Sequence, residues 1–199
     1  PTVWWQLLKY ELGFSVNAPY TLDDMAGDSI AVLDAEGHER VHVMGVSMGG
    51  MIAQVLAAKF PNRIKTLTSV MSTTFAPHLP PPSSAAEDNL RDLAEGDAED
   101  SREELMRARG FHPESMERHL MAIFKTGDRT LEVQTITAPT LVLHGSEDPL
   151  IPPAHGVHTA QQIAGAKFVL IDGMGHNLPE SYHDQIVGLM TDHIVAYDQ

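Results

Sequence analysis

"RVHVMGVSMGGMIAQVLA" spans Arg40–Ala57, and its reading decides the fold. The run up to Val46 is β-branched and apolar, as a buried strand requires, and the run from Met48 onward places apolar residues at helical spacing. Ser47 stands between them. A strand that passes at once into a helix crowds the two elements together, and glycine's missing side chain relieves the crowding. Gly45-Val46-Ser47-Met48-Gly49 therefore fits Gly-x-Ser-x-Gly, in which the serine sits on a sharp, strained turn with its hydroxyl exposed. This reading expects no room for a β-carbon at Gly45 or Gly49. It also aims the first helical N–H, that of Met48, at any oxyanion forming beside Ser47. The competing reading is an ordinary glycine-serine turn.

The rest of the chain repeats the alternation. Apolar runs recur at "KTLTSVMS" (Lys65–Ser72), "TLVLHG" (Thr140–Gly145) and "KFVLID" (Lys167–Asp172). Their near-continuous apolar character predicts parallel strands buried on both faces. Helical patterns lie between them. "TLDDMAGDSIAVLDAEG" starts at Thr21, puts Leu22, Met25, Ile30 and Leu33 on one face and stops at Gly37. "PESYHDQIVGLMTDHIVAYD" (Pro179–Asp198) closes the chain, with Pro179 suited to a first helical turn. Strands alternating with helices give an α/β fold with a mostly parallel sheet between helical layers.

Residues 76–130 break the pattern. "APHLPPPSSAAEDN" (Ala76–Asn89) is rich in proline and serine, and two short helices are expected after it. These are "SREELMRAR", opened by a Ser101/Glu104 capping box, and "ESMERHLMAIFK", stopped by Gly127. This stretch reads as a short helical lid inserted in a single domain spanning residues 1–199.

Totals narrow the function classes. The 199 residues are 43% hydrophobic, enough for one sizeable core. Net charge is −14, from 27 acidic against 13 basic side chains, which argues against a nucleic-acid partner. Much of the acidity lies in Glu87–Glu104, a solvated segment. No run reaches the ~18 apolar residues of a membrane span, and "PTVWWQLLKY" lacks the marks of a signal peptide. With no cysteine there is no disulfide framework, and a cytoplasmic location is expected.

A serine hydroxyl attacks only when a base takes its proton and an acid orients that base. Both occur where a parallel sheet delivers them, just after later strands. "SEDPLIP" after Gly145 offers Asp148, with Glu147 as a rival, and "GMGHNLPE" after Asp172 offers His176. Other histidines fit blander roles: His42 lies inside a strand pattern, and His155 and His158, three apart, lack the companions of a metal site. No metal and no cofactor are expected, and no nucleotide-binding glycine loop occurs.

Four phrases, "APYTLDDMAGD", "GVSMGGMIAQVLAAKFPNRIKTLTSVMSTT", "ITAPTLVLHGSEDPLIP" and "GAKFVLIDGMGHNLPE", resemble the α/β-hydrolase superfamily. The likeness is to bacterial esterases of the aclacinomycin methylesterase and non-haem haloperoxidase-like groups. It covers most of the chain from Gly13 onward and is weakest in the lid. It implies Ser47 as nucleophile, Asp148 as acid and His176 as base. It makes His144, at the end of its strand, a structural position.

The same resemblance exposes a departure. Such hydrolases begin with several strands and a His-Gly turn whose N–H supplies the second oxyanion donor, whereas only about forty residues precede this nucleophile strand. The sheet is expected to be N-terminally reduced, with an open edge on the "RVHVMGV" strand. A second copy of the chain, in a homodimer, or a rearrangement of Trp4, Trp5, Leu7 and Leu8 would cover that edge. The expected function is a serine carboxylesterase for small to medium carboxylic esters; the alternative is a truncated, non-catalytic or weakly active binding module.

Overall fold

The computed structural model describes residues 3–95, 112 and 115–198. In chain order the described elements are α1 (Val3–Glu11), α2 (Leu22–Ala35), β1 (Val41–Val46), α3 (Met48–Lys59), β2 (Ile64–Val70), α4 (Ser84–Glu95), α5 (Met116–Thr126), α6 (Thr130–Val133), β3 (Thr140–Gly145), α7 (Ala154–Gln162), β4 (Lys167–Ile171) and α8 (His183–Tyr197). The chain divides into two compact units. One comprises Leu22–Pro82 and Asp128–Gln199, and the other Pro1–Thr21 and Ser83–Gly127.

The larger unit holds the sheet. Its four strands run in the order β1-β2-β3-β4, and every pair is parallel. In register, Gly45 faces Ser69, Ser69 faces Val142 and Val142 faces Phe168. The central strands behave as their composition predicts: β3 is buried throughout, and in β2 only Lys65 is less than buried. The outer strands do not. Both β1 and β4 are largely half-buried or exposed, since an edge strand has a neighbour on one side only. Among the described residues β1 pairs with β2 alone, and Met44 on it is 39% exposed.

Strand alternation sorts the helices into layers. The position a Gly45 side chain would occupy meets α3, whereas Val46 packs against the buried cluster that includes Ile186 of α8 and against which Leu189 and Met190 of α8 also pack. So α3 and α8 lie on opposite faces of the sheet. On β3, Leu143 joins the α8-side cluster and His144 meets Gly156 of α7. The result is a three-layer α/β arrangement. Helix α2 leans its half-buried Met25, Ile30 and Leu33 and buried Leu22 inward and ends at Ala35, two residues before Gly37, whose φ of +72° suits glycine.

Among the described residues of this unit, the charged side chains of Arg129 and Asp148 are buried. Arg129 is 3% exposed. Its Nη1 donates to Met51 O at 3.2 Å and Gln54 Oε1 at 2.8 Å, and its Nη2 donates to Thr73 O. Its own N–H donates to Thr74 O at 2.9 Å. Gln54 passes the connection on to Ser69 Oγ at 3.0 Å. Burial pushes the guanidinium pKa down to about 10, which leaves it charged at neutral pH. The side chain thus ties α3 to the segment that leaves β2.

The helical unit is assembled from α1, α4 and α5. Tyr10 stacks on Phe124 with ring centroids 4.8 Å apart, and Tyr20 approaches His119 at 6.2 Å. Lys125 Nζ donates to Ser15 Oγ at 2.8 Å, and Gln6 Oε1 accepts from Asn17 N at 2.9 Å. Helix α5 stops at Gly127, at a φ of +67°. The Ser101/Glu104 capping box lies outside the described residues, as do the side chains of Trp4 and Leu7; Trp5 and Leu8 are exposed. No helix of the described residues is long and apolar enough to cross a membrane.

The junction of β1 with α3 corrects one expectation. A β-carbon on Gly45 would lie 2.0 Å from Gly49 O, so Gly45 is required. A β-carbon on Gly49 would meet nothing within 4 Å; the second required glycine is Gly50, where it would lie 2.6 Å from Ser72 Cβ. Helix α3 approaches the end of β2 one residue later than the motif implies. Gly49→Ala should therefore raise the thermal midpoint, gaining ~0.5–1 kcal/mol of helix propensity, whereas Gly45→Ala and Gly50→Ala should lower it. Arg129→Met should cost ~3 kcal/mol in denaturant unfolding, because the carbonyls of Met51 and Thr73 lose their donor.

Candidate active site

Parallel strands deliver their C-terminal ends to one edge of the sheet, and the three singled-out side chains all follow such ends. Ser47 comes directly after β1, Asp148 three residues after β3 and His176 five after β4. Each loop is shaped for its residue.

Ser47 holds a φ of 54° and a ψ of −121°, a conformation that costs a non-glycine residue ~1–3 kcal/mol. Neighbours enforce it. Its N–H donates to Val70 O at 2.9 Å, and its carbonyl accepts from the N–H groups of Gly50 and Met51 at 2.9 and 3.2 Å. The chain can therefore begin α3 at Met48, directly after the turn. Met48 N–H, at the first helical position, has no acceptor within the helix.

The loops after β3 and β4 are fastened to one another. Ser146 N donates to Ile171 O at 2.9 Å, Glu147 N to Met174 O at 3.0 Å and Gly173 N to Ser146 Oγ at 2.8 Å. Met174 is fully buried and anchors the His176 loop in the core. Its carbonyl passes so close to Gly145 that a β-carbon there would lie 2.0 Å away. Gly145 and Gly173, the latter at a φ of +71°, let the two loops lie flat against each other.

This brings the three side chains into one hydrogen-bonded line. His176 Nε2 lies 2.9 Å from Ser47 Oγ, and His176 Nδ1 lies 2.7 Å from Asp148 Oδ2. A carboxylate only accepts, so Nδ1 carries the hydrogen and the Nε2 lone pair faces the serine hydroxyl. Asp148 is buried; Glu147, its rival in the sequence, is exposed. Asp148 Oδ1 accepts from the N–H groups of Leu150 and Ile151 at 3.0 and 2.8 Å. Burial alone would raise the pKa of Asp148, but hydrogen bonds from His144, His176 and Ile151 N–H outweigh it and hold the carboxyl well below its usual range.

Three other histidines are engaged elsewhere. His42 Nδ1 lies 2.9 Å from Thr66 Oγ1 on the neighbouring strand. His155 lies between Thr73 Oγ1, 2.7 Å from Nδ1, and Pro80 O, 2.9 Å from Nε2. His158 Nδ1 lies 3.0 Å from Thr74 Oγ1. Two histidines one helical turn apart thus grip the hydroxyls of two successive threonines, and burial lowers the pKa of each. Sequence reasoning missed Gly50, Gly145, Arg129 and the second partner of Asp148, His144. No local signal marks the first three, since the atoms that define them lie far off in the chain. His144 had one, a histidine four residues before Asp148.

Comparison with known proteins agrees with this architecture. Residues 12–105 match the α/β hydrolase fold family, and residues 123–195 match the TAP-like protein family. Rhodomycin D methylesterase of Streptomyces peucetius is 29% identical, over 89% of this chain and 74% of its own length. That of Streptomyces sp. (strain C5) is 30% identical over the same shares. Among solved structures, the enol-lactonase of Burkholderia xenovorans LB400 superposes with a TM-score of 0.70 at 23% identity, covering 92% of this chain and 76% of that one. The meta-cleavage product hydrolase of Pseudomonas fluorescens IP01 gives 0.69 at 20% identity, covering 90% and 74%. A parallel sheet carrying Ser47, Asp148 and His176 at its strand ends, and a relative 30% identical along 74% of its length, place the chain in the α/β-hydrolase family.

Proposed function

We propose that this chain is a serine carboxylesterase that cleaves small to medium carboxylic esters through an acyl-enzyme. The observation that carries this reading is the unbroken hydrogen-bond path from Ser47 through His176 to Asp148, 2.9 and 2.7 Å long. The strained Ser47 backbone supports it, because strain of this kind clusters at functional sites. The likeness to two rhodomycin D methylesterases supports an ester as substrate.

The geometry translates into a proton cycle. Ser47 Oγ attacks the ester carbonyl carbon while its proton passes to His176 Nε2. Asp148, ionised and held by four neighbouring groups, accepts the Nδ1–H and stabilises the imidazolium. The oxyanion faces Met48 N–H and the positive end of α3. Collapse breaks the bond to the alcohol oxygen, which leaves with the proton from Nε2. Water then repeats the sequence on the Ser47 acyl ester and releases the acid, returning the hydroxyl proton to Ser47.

A fluorophosphonate probe should label the wild-type protein and not Ser47→Ala. Turnover of p-nitrophenyl acetate and butyrate should fall by ~10⁴-fold or more in Ser47→Ala and by roughly 10³–10⁴-fold in Asp148→Asn. Folded wild-type protein that resists labelling would overturn the reading. Labelling that persists in Ser47→Ala would move the nucleophile elsewhere.

A further inference from the structure

His144 is fully buried at the end of β3, outside the line from serine to acid. Its Nε2 lies 2.7 Å from Ile151 O and 3.5 Å from Asp148 Oδ2. Since Ile151 O only accepts, Nε2 carries the hydrogen. The other ring nitrogen has no hydrogen-bond partner among the described residues. It faces Gly156 of α7, where a β-carbon would lie 2.5 Å away. The ring is thus confined between a helix that has given up its side chain to admit it and the loop that carries the acid.

The arrangement closes a circuit. His144 Nε2–H donates to the carbonyl of Ile151, and the N–H of Ile151 donates to Asp148 Oδ1. The same Nε2–H stands beside Asp148 Oδ2, which His176 uses on its other side. A buried histidine could sit on an apolar strand as filler, but filler needs neither a polar atom at this spot nor a glycine opposite it. We propose that His144 is a positioning residue of the acid: it fixes the Asp148 loop through Ile151 and shares Oδ2, so that the carboxylate presents one orientation to His176. This rests on the esterase reading and deepens it.

Two substitutions separate the donor from the shape. A glutamine amide nitrogen reaches about where Nε2 lies, whereas leucine fills the volume with no donor. With p-nitrophenyl acetate as substrate, His144→Leu should lower kcat by ~10-fold or more at little change in KM. It should also move the acid limb of the rate profile to higher pH, because a carboxylate with one donor fewer draws the imidazolium proton more strongly. His144→Gln should return kcat to within about 3-fold of wild type and restore the limb. If His144→Leu does not fold, His144→Asn replaces it, since its shorter amide does not reach Ile151. Wild-type kcat and limb in the donorless variant, or equal losses in it and in His144→Gln, would overturn the inference alone. Wild-type protein without Ser47-dependent turnover would overturn the esterase reading, and this inference with it.

Discussion

A β-carbon on residue 45 would lie 2.0 Å from the carbonyl oxygen of Gly49, and the whole turn at Ser47 depends on that closeness. Because β1 and α3 almost touch, the chain has one residue in which to change direction, and Ser47 takes the left-handed conformation that the change demands. A strain of ~1–3 kcal/mol persists only where the surroundings over-determine it. Here they do so from three sides. Val70 fixes the Ser47 amide, the buried face of α3 holds the helix against the sheet, and Arg129 ties α3 to the segment beyond β2.

The polar side of the site is built the same way, by leaving few alternatives. Asp148 has a backbone or side-chain donor on each oxygen, so its charge is satisfied although water is excluded. A buried charge is tolerable when hydrogen bonds saturate it and costly when one is lost. The loops after β3 and β4 are therefore one structure, laced by three main-chain donors.

Much of this was legible in the sequence because it follows from periodicity. Apolar runs that alternate with helical patterns imply a parallel sheet, and a parallel sheet gathers its strand ends, so Ser47, Asp148 and His176 could be grouped across 129 residues. What was not legible depends on contacts between distant segments. The second glycine of the turn is Gly50 because Ser72 stands opposite it, a fact no five-residue motif contains. Arg129 sits in "TGDRT", just past the helix stop at Gly127, yet it donates to carbonyls of α3 and of the β2 exit. The burial expected of all four apolar runs holds for β2 and β3 only, since composition does not say which strands are outermost.

The segment leaving β2 is held in a manner unlike the strands. No ladder fixes Thr73 and Thr74: the Thr73 carbonyl takes Arg129 Nη2, the Thr74 carbonyl takes the Arg129 N–H, and their hydroxyls meet His155 and His158. Main-chain pairing tolerates almost any side chain, but this scaffold is written in side chains, so threonine and valine are not interchangeable there. The stretch has, in effect, two regimes of mutability. The exposed turn at Pro77 has latitude for substitution, provided that the four anchors behind it stay as they are, together with His78, whose ring packs edge-on against that of His158 at 5.0 Å.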